Sequence, residues 1–228
     1  ASTMVYSGST QAVKALNYGN LSLANAGTKS FEAATTGVAG DFTAVGGANA
    51  DMLTNSSVIN FNGTGAQAVP GLAYHGLLVS GGSEKTLTGN ATVANELRLT
   101  NGTVVTGANK FILGSAATIV EDENNYVTGL VEAQRSVVAN VLETFGGIGL
   151  TIDADVAPGA VTVIRETGTV VGLNSNSAKR NFRMLPSGTN ENLNATITLS
   201  YLMHELNGIS EENLSVYSTT DDVLWFLQ

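Results

Sequence analysis

The sequence is poor in charge and contains no cysteine. None of the 228 residues is Cys, which excludes disulfide bonds and thiolate metal sites. Only 13% of the residues are charged, against about 25% in a typical globular domain. The net charge is −9, and the basic residues are scattered except for Lys179, Arg180 and Arg183. Because phosphate binding needs clustered Lys and Arg, we expect no nucleic-acid partner.

Proline and long apolar segments are also scarce. The chain has 3 Pro, and no apolar run approaches the roughly 20 residues that cross a bilayer, so we expect no membrane span. Residues 4–120 show no sustained 3.6-residue apolar period, which argues against helices there. Apolar residues nevertheless make up 43% of the chain, and its 26 Gly can form tight corners. This composition predicts an all-β protein with uncharged polar faces.

Two stretches of the chain match each other without a gap. Leu16–Phe31 (LNYGNLSLANAGTKSF) aligns with Leu72–Leu87 (LAYHGLLVSGGSEKTL) at an offset of 56 residues. A repeat of short alternating strands is typical of a stacked solenoid. Because one coil takes roughly twenty to thirty residues, we expect the unit to contain two or three turns. Leu21 and Leu77 are then predicted to lie in one interior column.

The chain divides near an acidic turn. A parallel β-solenoid and an antiparallel β-sandwich both fit residues 1–125. The repeat favours the solenoid, because equivalent strands of successive turns can stack and each turn then covers the open edge of its neighbour. The repeat ends after Glu121–Asn125 (EDENN). We predict a β-sandwich-like domain over residues 126–228, with turns at Pro158 and Pro186. Gly129 is expected to bend the strand that opens this part.

Several motifs resemble repeats in large secreted and surface proteins of Bacteroidetes bacteria. They include NFNGTGAQ at 60–67, ELRLTNG at 96–102, YVTG at 126–129 and ELNG at 205–208. The resemblance implies export, a β-solenoid followed by a β-sandwich, and an adhesive or scaffolding role on the cell exterior, but it implies no site residues. The opening Ala1-Ser2-Thr3, without an initiator Met, fits a secreted protein after signal removal or an excised piece. We therefore expect an extracellular or cell-surface location.

Two sequence features suggest metal chemistry. The acidic turn Glu121, Asp122 and Glu123 offers hard oxygen ligands for Ca²⁺, although it lacks the alternating Asp order of a calcium loop. His204-Glu205 begins like the zinc motif HExxH, but Gly208 stands where the second His is needed. Calcium at the acidic turn is therefore the one metal hypothesis, and we otherwise expect no cofactor.

Two carboxylates correspond in the repeat and could form a catalytic pair. Asp41 and Glu96 are equivalent in the repeat, so they could share a solenoid face. Turns about 4.8 Å apart would separate them by roughly 10–15 Å, which exceeds the spacing that glycoside cleavage uses. We take both as solvated residues and expect no enzymatic activity.

The most apolar stretch lies at residues 223–227. It consists of Val223, Leu224, Trp225, Phe226 and Leu227. One interpretation is a buried strand of its own sandwich, and the other is a strand that docks on the next subunit. Head-to-tail pairing through strand edges does not close and so makes a fibre. We therefore predict these residues as the subunit interface of a homopolymeric filament, matrix or adhesin.

The alternative function is a carbohydrate-binding or polysaccharide-cleaving β-helix protein. Surface glycans would then be the partners, and exposed aromatic side chains on one face would support it. Tyr18 and Tyr74 are the candidates, but their place in the repeat predicts inward or corner positions.

Overall fold

The protein is almost entirely β structure. The computed structural model describes residues 1–170, 177–188 and 191–220 in full, together with the backbone of Phe226–Leu227. A parallel β-solenoid of about seven turns is followed by antiparallel strands, and about 3% of the chain is helical. The predicted all-β solenoid is therefore confirmed. Within the described residues, no helix is long and apolar enough to cross a membrane.

The first three turns contain three strands each, one on each side of the coil. These strands are β1 (Thr3–Tyr6), β2 (Gln11–Val13), β3 (Asn17–Tyr18), β4 (Asn20–Leu23), β5 (Gly27–Phe31), β6 (Thr35–Val38), β7 (Phe42–Ala44), β8 (Ala48–Asp51) and β9 (Val58–Phe61).

In the later turns several strands run on through a corner and so contribute to two sides of the coil. These strands are β10 (Gln67–Val69), β11 (Ala73–Val79), β12 (Glu84–Leu87), β13 (Ala91–Leu99), β14 (Thr103–Leu113), β15 (Thr118–Val120) and β16 (Val127–Val137).

The remaining described strands pair antiparallel, and two short 3₁₀ helices, Met203–Leu206 and Glu211–Asn213, lie between them. These strands are β17 (Leu150–Ala154), β18 (Gly159–Thr167), β19 (Arg180–Pro186), β20 (Ala195–Leu199), β21 (Tyr217–Ser218) and β22 (Phe226–Leu227). The second 3₁₀ helix follows Ser210 at its N-cap position and carries Glu211 and Glu212 in its first turn, where acidic residues are favoured.

Alternating side chains build the solenoid interior. In β4, Leu21 and Leu23 are buried while Asn20 and Ser22 are half-buried on the outer face. This is the two-residue period of a strand with one covered face. Parallel pairing then stacks like positions into columns, one of which contains Val38, Phe61, Val79 and Leu99. A turn therefore takes 18 to 23 residues.

The two repeats do not stack in phase, so the predicted Leu21–Leu77 column is wrong. Leu21 lies between Met4 and Phe42 in the sheet β1-β4-β7. Leu77 lies between Ile59 and Leu97 in a different sheet. The repeat unit contains eight strands, β1 to β8, before its first strand recurs as β9. With three strands to a turn, eight strands fall one short of three full turns. The second copy of the repeat therefore starts one side of the coil away from the first.

This rotation leaves a seam between the third and fourth turns. Strand β9 pairs on one side with β6 and on the other with β11. Within the described residues, β7 pairs only with β4, and β8 pairs only with β5. The backbone ladder therefore crosses the seam on one of the three sides. Gln67 adds side-chain hydrogen bonds across it, because its Nε2 donates to the carbonyls of Val38 (2.9 Å) and Gly40 (2.7 Å).

Strand β16 joins the solenoid to the antiparallel part. It pairs in parallel with β14 and antiparallel with β18. Gly129, where a bend was expected, has φ +109°, and a Cβ there would lie 2.0 Å from the Thr106 hydroxyl oxygen. Only glycine fits this backbone and this spacing. Because β16 belongs to both parts, a domain boundary at residue 125 stays a prediction.

Candidate functional site

A network of charged residues lies where the solenoid meets the antiparallel sheet. The guanidinium of Arg165, on β18, is fully buried and donates to both carboxylate oxygens of Glu121. Glu121 also accepts a hydrogen bond of 2.7 Å from the backbone N–H of Val127. Buried charges of this kind are stable only when they are paired and hydrogen-bonded. Glu121 therefore connects the acidic turn to β18 and to the start of β16.

A second buried ion pair stands beside the first. The Nε of Arg180 lies 2.7 Å from the Glu205 carboxylate, and the two side chains are 7% and 3% exposed. Burial, followed by the neighbouring Arg165, lowers the pKa of Arg180, whereas Glu205 acts in the opposite direction. Glu205 also accepts from the backbone N–H of Leu202. The pair therefore fixes the 3₁₀ helix Met203–Leu206 against β19.

The same helix contacts the acidic turn. Glu123 accepts a hydrogen bond of 2.8 Å from the backbone N–H of Met203, and its other oxygen lies 3.3 Å from Nδ1 of His204. The imidazole of His204 stacks on Tyr126, with ring centroids 3.9 Å apart. The Met203 hydrogen bond, and then His204, lower the pKa of Glu123. The HExxH-like segment therefore binds the end of the solenoid through polar contacts. We call the contacts of Met203 and His204 with Glu123 and Tyr126 the clasp.

The three predicted calcium ligands point to different partners. Glu121 binds Arg165, and Glu123 binds Met203 and His204. Asp122 accepts instead from the backbone N–H groups of Asn124 and Asn125, closing its own turn. Within the described ranges, no three His, Cys, Asp or Glu side chains converge as a metal site would require. Calcium binding at this turn stays a prediction.

A polar pocket opens next to the stacked rings. Its volume is about 310 Å³. Its lining includes Tyr126, Thr128, Thr167, Lys179, His204 and Glu205. A concave site with an aromatic face, a cation and hydroxyl groups can hold a small polar ligand.

A second concave site, an apolar cleft, lies between the two antiparallel sheets and could contact a macromolecule. Its volume is about 210 Å³. Ile152, Ala195 and Ile197 form the wall from β17 and β20. Val161, Met184 and Pro186 form the wall from β18 and β19. Apolar surface of this kind gains free energy when it is removed from water.

Both walls of the cleft end in an edge strand. Within the residues that the structure describes, β19 pairs only with β18, and β20 pairs only with β17. The residues of β20 are all exposed, although Ile197 and Leu199 lie opposite the buried Ile152 and Leu150. Among the described residues, the antiparallel strands therefore form two facing sheets, and their open side offers unpaired main-chain groups and apolar side chains together.

The predicted subunit interface lies mostly beyond the described residues. Val223, Leu224 and Trp225 are outside them, and of Phe226 and Leu227 only the backbone is described. That backbone pairs antiparallel with Tyr217–Ser218. The role of this segment in assembly stays a prediction. The cleft itself was missed from the sequence, because it depends on the pairing of β17 with β20.

The other sequence candidates occupy structural positions. Tyr18 and Tyr74 are buried, which confirms the inward prediction, and their hydroxyls donate to the carbonyls of Lys14 and Pro70. Asp41 precedes β7, whereas Glu96, on β13, pairs with Arg98 at 2.7 Å. Because β7 and β13 belong to different sheets, the suggested common face for the two carboxylates is wrong.

Comparison of the chain with models of known protein families, with curated proteins and with solved structures finds no match in any of the three. The fold and the geometry of the cleft and pocket therefore carry the functional argument.

Proposed function

We propose that this chain is a non-enzymatic structural or adhesive protein of the cell exterior, which assembles with copies of itself through β-strand edges. The observation that carries the proposal is the open side of the C-terminal sandwich. There, strands β19 and β20 are unpaired on one side within the described residues, and the apolar cleft lies between them. Edge strands next to uncovered apolar surface are the usual place for β-strand addition.

The solenoid suits such a role because it is a regular, extended scaffold. Its columns repeat through about seven turns, so each turn contacts mainly its neighbours. The extracellular location rests on the sequence resemblance and remains part of the proposal.

Electron microscopy combined with light scattering tests the proposal. Over a range of protein concentrations, we expect particles to join end to end and the mean mass to rise. A monodisperse monomer at every concentration would contradict assembly.

A second candidate function, glycan binding, is favoured by the polar pocket beside the stacked Tyr126 and His204. A glycan array tests it with three proteins: the wild type, Tyr126→Ala, and Tyr217→Ala as an exposed-tyrosine control (45% exposed). Glycan binding predicts that only Tyr126→Ala loses signal. Equal signals from all three proteins would exclude the pocket as the binding site.

A further inference from the structure

Strand β20 leaves the main-chain groups of three residues open at its free edge. The N–H of Ser200 donates to the carbonyl of Gly149 at 2.8 Å, so these opposite residues form a hydrogen-bonded pair. Hydrogen-bonded and non-hydrogen-bonded pairs alternate along an antiparallel ladder, and Thr198 and Thr196 therefore turn their main-chain groups toward β17. The N–H and C=O groups that point away from β17, where no strand of the described residues pairs with them, belong to Ala195, Ile197 and Leu199.

The same edge also lacks cover for its apolar side chains. Leu150 and Ile152, on β17, are 1% and 2% exposed, but their partners Leu199 and Ile197 are 38% and 48% exposed. Directly opposite residues of an antiparallel pair point to the same face. Leu199 and Ile197 therefore point into the cleft, and the side on which they lack cover is the side away from β17.

The sequence of β20 does not protect this edge. The strand reads ATITL, without a charged residue or a Pro. Natural edge strands commonly carry charge or Pro, which keep other strands from adding to them. Strand β19, the other edge at the cleft, has this protection, because it contains two Arg and ends at Pro186. Of the two edges, β20 is therefore the one that is suited to accept another strand.

We propose that β20 pairs antiparallel with β20 of a second copy of this chain, around a two-fold axis at Ile197. This inference rests on the proposed function and names the edge that makes its contact. In this register Ile197 lies opposite Ile197 of the second copy, and Ala195 lies opposite Leu199. Each pair exchanges two hydrogen bonds, so the three pairs form about six. No other antiparallel register matches all three free residues with one another.

The side chains of the two copies then complement each other. Because opposite residues share a face, the cleft-facing residues of both copies lie together, and each Ile197 covers the exposed flank of the other. On the outer face, Thr196 lies opposite Thr198, a favourable cross-strand pair. Just beyond the strands, Asn194 lies opposite Ser200, and both residues are uncharged. The contact uses the same surface of both copies, so it closes at two.

Single cysteines test the inference, because the chain has no Cys of its own. In the proposed dimer, Ile197→Cys places two thiols opposite each other at a Cα spacing of about 5.5 Å, which a disulfide can bridge. Thr198→Cys, at an exposed site of the same strand, is the matched control, because its two copies lie diagonally at about 7–8 Å. Under mild oxidation, Ile197→Cys should form disulfide-linked dimers at least about tenfold faster than Thr198→Cys.

Light scattering measures the assembly itself. The mass of the wild type should rise with concentration to a plateau at twice the 23.4 kDa of the chain. Ile197→Asp, which sets two like charges opposite each other, should stay monomeric. Leu16→Asp, a change at a 57% exposed apolar residue of the first turn, should behave like the wild type.

The cysteine variants keep the test decisive if Ile197→Asp fails to fold. Assembly of the wild type together with equal cross-linking rates for Ile197→Cys and Thr198→Cys would overturn this inference and leave assembly through other edges. A wild type that stays monomeric at every concentration would overturn both the inference and the proposed function.

Discussion

Replacing Glu121 by Gln should destabilise the protein strongly. The substitution removes the carboxylate that neutralises Arg165, whose side chain is 0% exposed while that of Glu121 is 8% exposed. A buried charge that loses its partner costs about 3–5 kcal/mol. Among the described residues, the Nε of Arg165 already has no hydrogen-bond partner, so the site cannot readily compensate. At about 2–4 °C per kcal/mol for a chain of this size, the melting temperature should fall by about 6–20 °C.

The control is a similar pair at the surface. Arg98 and Glu96 also form an ion pair, but their side chains are 46% and 32% exposed. Exposed pairs contribute about 0.2–1 kcal/mol, so Glu96→Gln should lower the melting temperature by less than about 4 °C. Thermal unfolding followed by circular dichroism compares the two variants. Equal, small shifts would refute the claim that burial makes the Glu121–Arg165 pair different.

A double variant separates lost pairing from lost packing. In Glu121→Leu/Arg165→Met, neither charge remains buried, and apolar replacement of a buried pair is often neutral. We expect this variant to recover most of the melting temperature that Glu121→Gln loses. A double variant no more stable than Glu121→Gln would show that the loss does not come from the unpaired Arg165.

Three further outcomes follow from other parts of the fold. Lys85→Met should cost about 1–3 kcal/mol in urea unfolding, because the fully buried ammonium donates to three carbonyls at 2.7–2.8 Å; stability equal to the wild type would show that these bonds contribute nothing. Amides of β7 and β8, which pair on one side only within the described residues, should exchange hydrogen faster than those of β9; equal rates would argue against the seam. The pKa of Glu123 is lowered in the fold. The ionised carboxylate should therefore hold the helix Met203–Leu206 at pH values above the ordinary Glu pKa, and this contact should be lost as the pH falls through the lowered pKa. The protection of the Met203 amide relative to its intrinsic exchange rate should fall as this contact is lost, and Glu123→Gln should abolish the pH dependence of that protection.

The sequence allowed the class of fold to be predicted because solenoid strands leave a local pattern. Alternation in β4 and the Leu16–Phe31 repeat are both visible without knowledge of distant contacts. The stacking phase is different. It depends on how many sides the coil has, and a 56-residue repeat does not contain that number. The in-phase column of Leu21 and Leu77 failed for this reason.

The candidate site was harder to predict because long-range pairing creates it. The acidic turn was recognised, but the partner of Glu121 lies 44 residues away on an antiparallel strand. His204 and Glu205 were recognised only as an incomplete zinc motif, whereas the structure uses them to clasp the solenoid end. The cleft requires β17 to pair with β20, and neither strand carries a local signal for that partner.

Engineered disulfides test the central claim, a three-sided coil with rotated repeats, most directly. The chain has no Cys, so any disulfide formed is the designed one. Thr35→Cys/Val58→Cys joins outward positions that are ladder partners in the structure, at a spacing of about 4.8 Å that a disulfide can bridge. If the two repeats stacked in phase instead, β9 would lie on β7 rather than on β6, and Asn60 would then lie over Thr43.

Mild oxidation followed by non-reducing electrophoresis gives the result. Our account predicts cross-linking of Thr35→Cys/Val58→Cys and of the control Ser22→Cys/Thr43→Cys, whose native side chains lie 3.1 Å apart. It predicts none for Thr43→Cys/Asn60→Cys. Efficient cross-linking of the 43/60 pair together with failure of the 35/58 pair would contradict the rotated coil.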